Sequence, residues 1–219
     1  MINKNLILFL IIIISCERFY IPPKPTNIKY KAQYNHRLRQ WNYDDGKNEF
    51  IWFEDGKLFR YAEKSGNLYH GKFIQYFRNG NVSQEGVYDS GYRVGKWTYY
   101  FPNGGVYLII NYNKYPADKE RFFLNSFFGN ENGPYVRYYD NGQIEEKGFY
   151  YAGRFHHTRI HYYKNGKKQF EILYNQGKKN GIAKYYDDQE RLIREEFYQN
   201  DILTKMIHYN HKENHQYST

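Results

Sequence analysis

A single cysteine, Cys16, stands in the 219 residues. One thiol excludes a disulfide framework within the chain. Long apolar runs are missing too. Residues 6–14, LILFLIIII, make the longest, nine residues, too short to span a bilayer. Leu, Ile, Val and Phe together number 41 of the 204 residues from Cys16 onward, about a fifth, the border below which a chain struggles to build a core. Catalytic signatures are also absent. There is no Gly-x-Ser-x-Gly, no phosphate-binding glycine loop and no dinucleotide fingerprint. No enzyme activity and no cofactor are expected.

Tyrosine is abundant, with 27 residues. Its ring is a large apolar body with a polar tip, suited to a half-buried sheet face. Tyrosine therefore moves the chain back to the folded side of that border, as a thin one-layer protein with much of both faces wet. The formal charge is +9, which favours anionic surfaces. Basic and aromatic residues together also describe single-strand nucleic-acid binders. The leader discussed below argues against nucleic acid as a partner.

The tyrosines are periodic. One 24-residue unit recurs with starts at Lys47, Gly71, Gly95, Gly133, His157 and Gly181. Its sixth position is always aromatic: Trp52, Tyr76, Tyr100, Tyr138, Tyr162, Tyr186. Shortly after comes Asp55-Gly56, Asn79-Gly80, Asn103-Gly104, Asn141-Gly142 or Asn165-Gly166, lapsing to Gln189-Glu190 in the last unit. Asn-Gly between aromatic and β-branched segments predicts a hairpin, with the pair supplying two φ > 0 residues of a type I′ turn. A second glycine turn follows at Gly91, Gly153 and Gly177. Stacked hairpins bury a continuous aromatic layer that no hairpin buries alone. The expected fold is all-β, an elongated antiparallel meander of hairpin repeats.

The run Tyr88-x-x-Gly91-x-x-x-Gly95-x-Trp97, then Tyr99-Tyr100-x-x-Asn103-Gly104, resembles the MORN repeat in its bacterial variant form. The resemblance covers about three quarters of the chain after Cys16. Its first unit departs, with Lys47 for Gly and Lys64 for Tyr. The fifth has His157 for Gly, and the sixth lacks Asn-Gly. Atypical end units are what capping repeats look like. The resemblance implies a fold rather than a task. Bacterial proteins with this variant often carry an antitoxin label, which implies a toxin-inhibiting or immunity role as an alternative. Direct phospholipid binding, suggested for eukaryotic relatives, is a further one.

Residues 1–15 read as a leader, with Lys4 before the apolar run and Ile13-Ile14-Ser15-Cys16 after it. That ending resembles a bacterial lipobox, which implies cleavage before Cys16 and a lipid on its sulfur. The expected address is the cell envelope, anchored to a membrane and facing the periplasm or exterior. Residues 16–37, with Pro22, Pro23 and Pro25, read as a tether. The repeat domain is expected over 38–210, with the sheet starting near Leu38, and a flexible tail over 211–219.

The connector at 113–132 is 14 residues longer than its counterparts. Phe123/Phe127 and Leu124/Phe128 are spaced i, i+4, which predicts a short helix with an apolar face. That helix either covers the sheet or forms an exposed aromatic lip. Phe122, Phe123, Phe127 and Phe128, with the recurrent Tyr138 and Tyr162, are the candidate binding surface for a protein or envelope partner. A monomer is expected.

Acidic pairs such as Glu145-Glu146 and Glu195-Glu196 sit on predicted strands, where neighbours point to opposite faces. Glu85, Glu171 and Glu195 share one repeat position, with Lys147 at it in a fourth unit; this predicts cross-strand ion pairing on a wet face. His157 with His161, and His208 with His211 and His215, are weak metal leads, and no metal site is expected from them.

Overall fold

The computed structural model describes residues 21–113 and 131–210. Those residues form one open antiparallel sheet of fifteen strands in strict sequence order. The strands are β1 (Gln33–Asn35), β2 (Gln40–Asp44), β3 (Asn48–Phe53), β4 (Leu58–Ser65) and β5 (Leu68–Tyr76). Next come β6 (Val82–Asp89), β7 (Tyr92–Tyr100), β8 (Val106–Tyr112), β9 (Gly133–Tyr138) and β10 (Ile144–Tyr151). The array closes with β11 (Arg154–Tyr162), β12 (Lys168–Asn175), β13 (Lys178–Tyr186), β14 (Leu192–Gln199) and β15 (Ile202–His208). This is the all-β meander that the 24-residue period predicts.

The type I′ turn expected at the Asn-Gly pairs is not found there. At the Asp-Gly and Asn-Gly turns only the glycine has positive φ, at Gly56, Gly80, Gly104, Gly142 and Gly166. In the first, Gly56 N–H donates to the Phe53 carbonyl (2.9 Å) and Phe53 N–H to the Lys57 carbonyl (2.8 Å). That is a three-residue loop, a type I turn closed by a left-handed residue. The type I′ geometry belongs to the second family. Ser90-Gly91, Ala152-Gly153, Gln176-Gly177 and Asn200-Asp201 have positive φ at both residues and join strands through two-residue loops.

The lapse at Gln189-Glu190 is a lapse of sequence and not of backbone. Glu190 has φ 67°, and Glu190 N–H still donates to the Asp187 carbonyl (2.9 Å). Asp187 replaces the aromatic of the other units, and its Oδ1 accepts from Gln189 N–H (3.0 Å) and Arg191 N–H (2.8 Å). A carboxylate thus secures the loop where asparagine is missing. This geometry sets a prediction. Gly142→Val, at φ 83° with open space around a new Cβ, should cost roughly 1–3 kcal/mol as backbone strain. Glu190→Val should cost far less, because Glu190 already carries a Cβ in that conformation. Glu190→Gly should instead stabilise, by up to about 1 kcal/mol, since a left-handed L-residue is strained by about 1–2 kcal/mol. Thermal melts of the three variants check the order.

The sheet begins upstream of Leu38. Residues 25–32 fold over the first hairpins: Ile28 is 2% exposed among Trp41 and Trp52, and Tyr30 stacks on Phe50 with centroids 4.8 Å apart. Asn27 Nδ2 donates to the Gly56 carbonyl (2.9 Å). The proline-rich stretch is therefore, from Pro25, a cap on the first hairpins. An uncovered first hairpin would leave Trp41 and Trp52 in water, and Ile28 and Tyr30 remove that exposure.

The remaining core lies on one face, called here the core face. Ala62, Phe73, Trp97, Ile110, Tyr112 and Tyr135 are buried together. Large and small residues alternate along it. A Cβ on Gly86 would stand 2.3 Å from the Trp97 ring, so only glycine lets the indole lie flat against the neighbouring strand.

Candidate binding surface

The opposite face, called here the ladder face, has one row of register partners running across the sheet. From β3 to β15 it reads Phe50, Tyr61, Ile74, Glu85, Thr98, Ile109, Val136, Lys147, Ile160, Glu171, Lys184, Glu195, Ile207. From Phe50 to Glu195 the strict period puts the fourth and fifteenth positions of each unit on this row in turn. The predicted ion pairing is present: Lys184 Nζ lies 4.0 Å from Glu171 and 4.0 Å from Glu195, and Lys168 Nζ 2.8 Å from Glu171.

A second regularity crosses the repeats at a separation of fifteen residues. Tyr100 OH donates to Glu85 Oε1 (2.6 Å) and Tyr186 OH to Glu171 Oε1 (3.0 Å). Tyr162 faces Lys147 at the equivalent place, and the ammonium lies 5.6 Å from its ring centroid. Residue type at the row therefore decides which part of the tyrosine is used, hydroxyl for an anion or ring for a cation. Burial, then the hydrogen bond to the carboxylate, pushes the phenols of Tyr100 and Tyr186 up to about 12. They remain neutral donors at any ordinary pH.

Tyr138 and Tyr162, two of the residues chosen from sequence, are half-buried on this side of the array. Tyr138 opposes Ile144 and Tyr162 opposes Lys168. Tyr162 lines a shallow open groove of about 430 Å³ with Gln143, Ile144, Asn165, Gly166, Lys167 and Glu190. The groove offers one ring, two amides and charges of both signs, a lining for polar recognition. Phe122, Phe123, Phe127 and Phe128 lie outside the described residues, as do the predicted helix, Cys16, the leader, His211 and His215.

Sequence reasoning missed a polar cluster on the core face. Glu146, 2% exposed, accepts from Tyr135 OH (2.6 Å), Arg159 Nη2 (2.6 Å) and Arg137 Nη2 (3.2 Å). The expectation that Glu145 and Glu146 point apart fails here. Arg137 Nε also bonds Glu145 Oε2 (2.8 Å), because the register shifts between Ile144 and Glu146 and a bulge re-aims the side chain. Glu195 and Glu196 do separate: Tyr209 OH donates to Glu195 (2.8 Å) and Tyr198 OH to Glu196 (2.9 Å). Burial raises the Glu146 carboxyl, but the bonds from Arg159 and Tyr135 and the two arginine charges outweigh it and hold it low. One signal existed in the sequence: Arg159 stands at the unit position held by Phe73, Trp97, Tyr135 and Ala183 in four of the other five units.

His157 sits at a left-handed residue (φ 61°) and packs against Phe149, centroids 5.5 Å apart. His161 stacks on Phe170 at 5.0 Å. Among the described residues no three His, Cys, Asp or Glu side chains gather as a ligand set.

Compared with curated proteins, the chain has no significant match. The family model described as MORN repeat variant matches residues 69–90, 93–114, 131–150 and 158–176. These segments are successive hairpins of the sheet, and each is similar to the MORN repeat variant.

Proposed function

We propose that this chain is a non-enzymatic binding scaffold, lipid-anchored through Cys16 in the cell envelope, that docks a protein partner on the ladder face. The observation that carries the reading is the ladder itself. Tyrosine hydroxyls, carboxylates and ammonium groups recur at fixed spacing on a broad, rigid, one-layer sheet, with the Tyr162 groove among them. Rigid tyrosine-rich surfaces bury much area for little rotamer entropy. The anchor rests on the apolar run ending in Ile-Ile-Ser-Cys and would hold the sheet close to an envelope surface.

Two arms test it. Cys16→Ala should release the protein from the membrane fraction or stall its processing. A variant that is processed and stays membrane-bound like wild type would defeat the anchor. Cross-linking capture from the native envelope should recover a protein with wild type and lose it with Tyr138→Ala/Tyr162→Ala at unchanged melting temperature. Undiminished capture by the double variant would place docking elsewhere. Salt-sensitive binding of the Cys16→Ala protein to anionic vesicles, with no protein captured, would favour lipid as the ligand instead.

A further inference from the structure

The sequence holds six Asn-Gly pairs. Asn180-Gly181 lies inside β13 and Asn132-Gly133 leads into β9, with Asn132 N–H bonded to the Asn111 carbonyl (2.9 Å), so sheet pairing restrains both. The other four form turns that are chemically alike, yet the fold holds them unequally. Each asparagine Oδ1 accepts from the N–H two residues on: Asn81 N for Asn79 (3.0 Å), Gly105 N for Asn103 (2.9 Å), Gln143 N for Asn141 (3.0 Å) and Lys167 N for Asn165 (3.0 Å). Three of the four are held a second time, by Nδ2. Asn79 Nδ2 donates to the Pro102 carbonyl (2.7 Å), Asn141 Nδ2 to Lys164 (3.2 Å) and Asn165 Nδ2 to Asp188 (3.4 Å). Every acceptor lies 23 residues on, in the next repeat's turn. Asn103 Nδ2 has no hydrogen-bond partner among the described residues. The repeat that would supply one follows the long connector, and β8 pairs with β9 only at Leu108↔Arg137 and Ile109↔Val136. Tyr139 OH and Tyr163 OH also tie their turns to the next repeat, through the carbonyls of Tyr162 (2.7 Å) and Tyr186 (2.9 Å). Phe101 at that position has no hydroxyl.

We propose that Asn103 is the site of spontaneous backbone-assisted deamidation in the folded protein, well ahead of the other five asparagines that precede a glycine. In this reaction the Gly104 amide nitrogen gives up its proton to hydroxide and attacks Asn103 Cγ. The N–Cγ bond forms, the Cγ–Nδ2 bond breaks as Nδ2 takes a proton from water and regenerates hydroxide, and ammonia leaves. Water then opens the five-membered imide at either carbonyl, giving aspartate or isoaspartate. Attack requires the side chain to rotate over its own backbone, with no Cβ on the following residue in the way. All four turns have that glycine, and all four must break the bond from its N–H to the carbonyl three residues back, which is 2.9 Å in the Gly104 turn. They differ in side-chain freedom. Asn103 has one tether where the others have two, and it alone is followed by two glycines, Gly104-Gly105. All of 102–105 is exposed, so hydroxide reaches the turn and ammonia escapes.

The two products differ in consequence. Aspartate suits the loop, since Asp55 holds the equivalent place in the first unit and its Oδ1 accepts from Lys57 N–H (3.2 Å). Isoaspartate lengthens the backbone by one methylene. That displaces the bond from Phe101 N–H to the Gly105 carbonyl (2.7 Å) and loosens the β7–β8 hairpin beside the least-paired junction of the array.

The test is peptide mapping by mass spectrometry of the full chain aged at mildly alkaline pH, scoring the exchange of amide NH2 for OH at each asparagine. The expected result is that Asn103 converts several-fold faster than Asn79, Asn132, Asn141, Asn165 and Asn180 in the folded protein, with the six rates converging in denaturant. Faster conversion at another of the six, equal rates in the folded state, or no conversion at Asn103 while the denatured chain converts would each overturn the proposal.

Discussion

Replacing Trp97 by alanine should destabilise the protein by about 3–5 kcal/mol, the range for deleting a large buried aromatic. Trp97 is fully buried. Its ring meets Tyr88 edge-on at 5.0 Å and lies 5.5 Å from Phe73. Its Nε1–H donates to the Val87 carbonyl (3.2 Å), and the Arg93 guanidinium sits 4.5 Å from the ring. A sheet one layer thick has no second layer to collapse into the hole, so relaxation recovers little. Val87→Ala, one strand away but on an exposed side chain, should change stability by less than about 0.5 kcal/mol. Urea midpoints for the pair measure the contrast. Similar losses would mean that the core does not lie on the face assigned to it.

Glu146→Ala should cost a comparable amount, about 3–5 kcal/mol, for a different reason. It leaves two half-buried guanidinium groups and the Tyr135 hydroxyl without their shared acceptor. Glu146→Gln keeps the shape and removes the charge, so it should cost less. The two should also differ from wild type in pH dependence. The folded-state carboxyl is held below its ordinary value of 4.5. Its contribution is therefore fully present above that value and is lost as pH falls through the lower, folded value. The stability gap between wild type and Glu146→Gln should be constant near neutrality and shrink below about pH 4.5. A gap that widened on acidification would contradict the assigned charge state.

The architecture was legible because its signals repeat. Six aromatic positions and five Asn-Gly or Asp-Gly pairs at one spacing leave little freedom in strand number or order. Turn type was not legible, since Asn-Gly suits both a two-residue I′ loop and a type I turn closed by a left-handed glycine. The choice was made by the bulge that keeps the aromatic rows aligned. Glu190 shows the converse: the pairs on either side hold its backbone left-handed despite the wrong residue. The cap at Ile28 and Tyr30 has no period and so gave no signal. Glu145 and Glu146 were misplaced because alternation fails at a bulge, and a bulge is set by the neighbouring strand. Of the candidate site, Tyr138 and Tyr162 were found by recurrence. The Tyr162 groove was not, because Gln143 and Glu190 reach it from different repeats.

The central claim is that β8 pairs directly with β9, so that both halves of the array form a single scaffold. The direct measurement is disulfide trapping across that junction in a Cys16→Ala background. Ile109 and Val136 are register partners on the ladder face, and directly opposed residues bring their Cβ atoms within bridging reach. Ile109→Cys/Val136→Cys should oxidise readily in the folded protein, without loss of thermal stability. Ile109→Cys/Arg137→Cys, one residue out of register and on opposite faces, should stay reduced. Ready oxidation of the out-of-register pair, or none of the in-register pair, would contradict a continuous sheet.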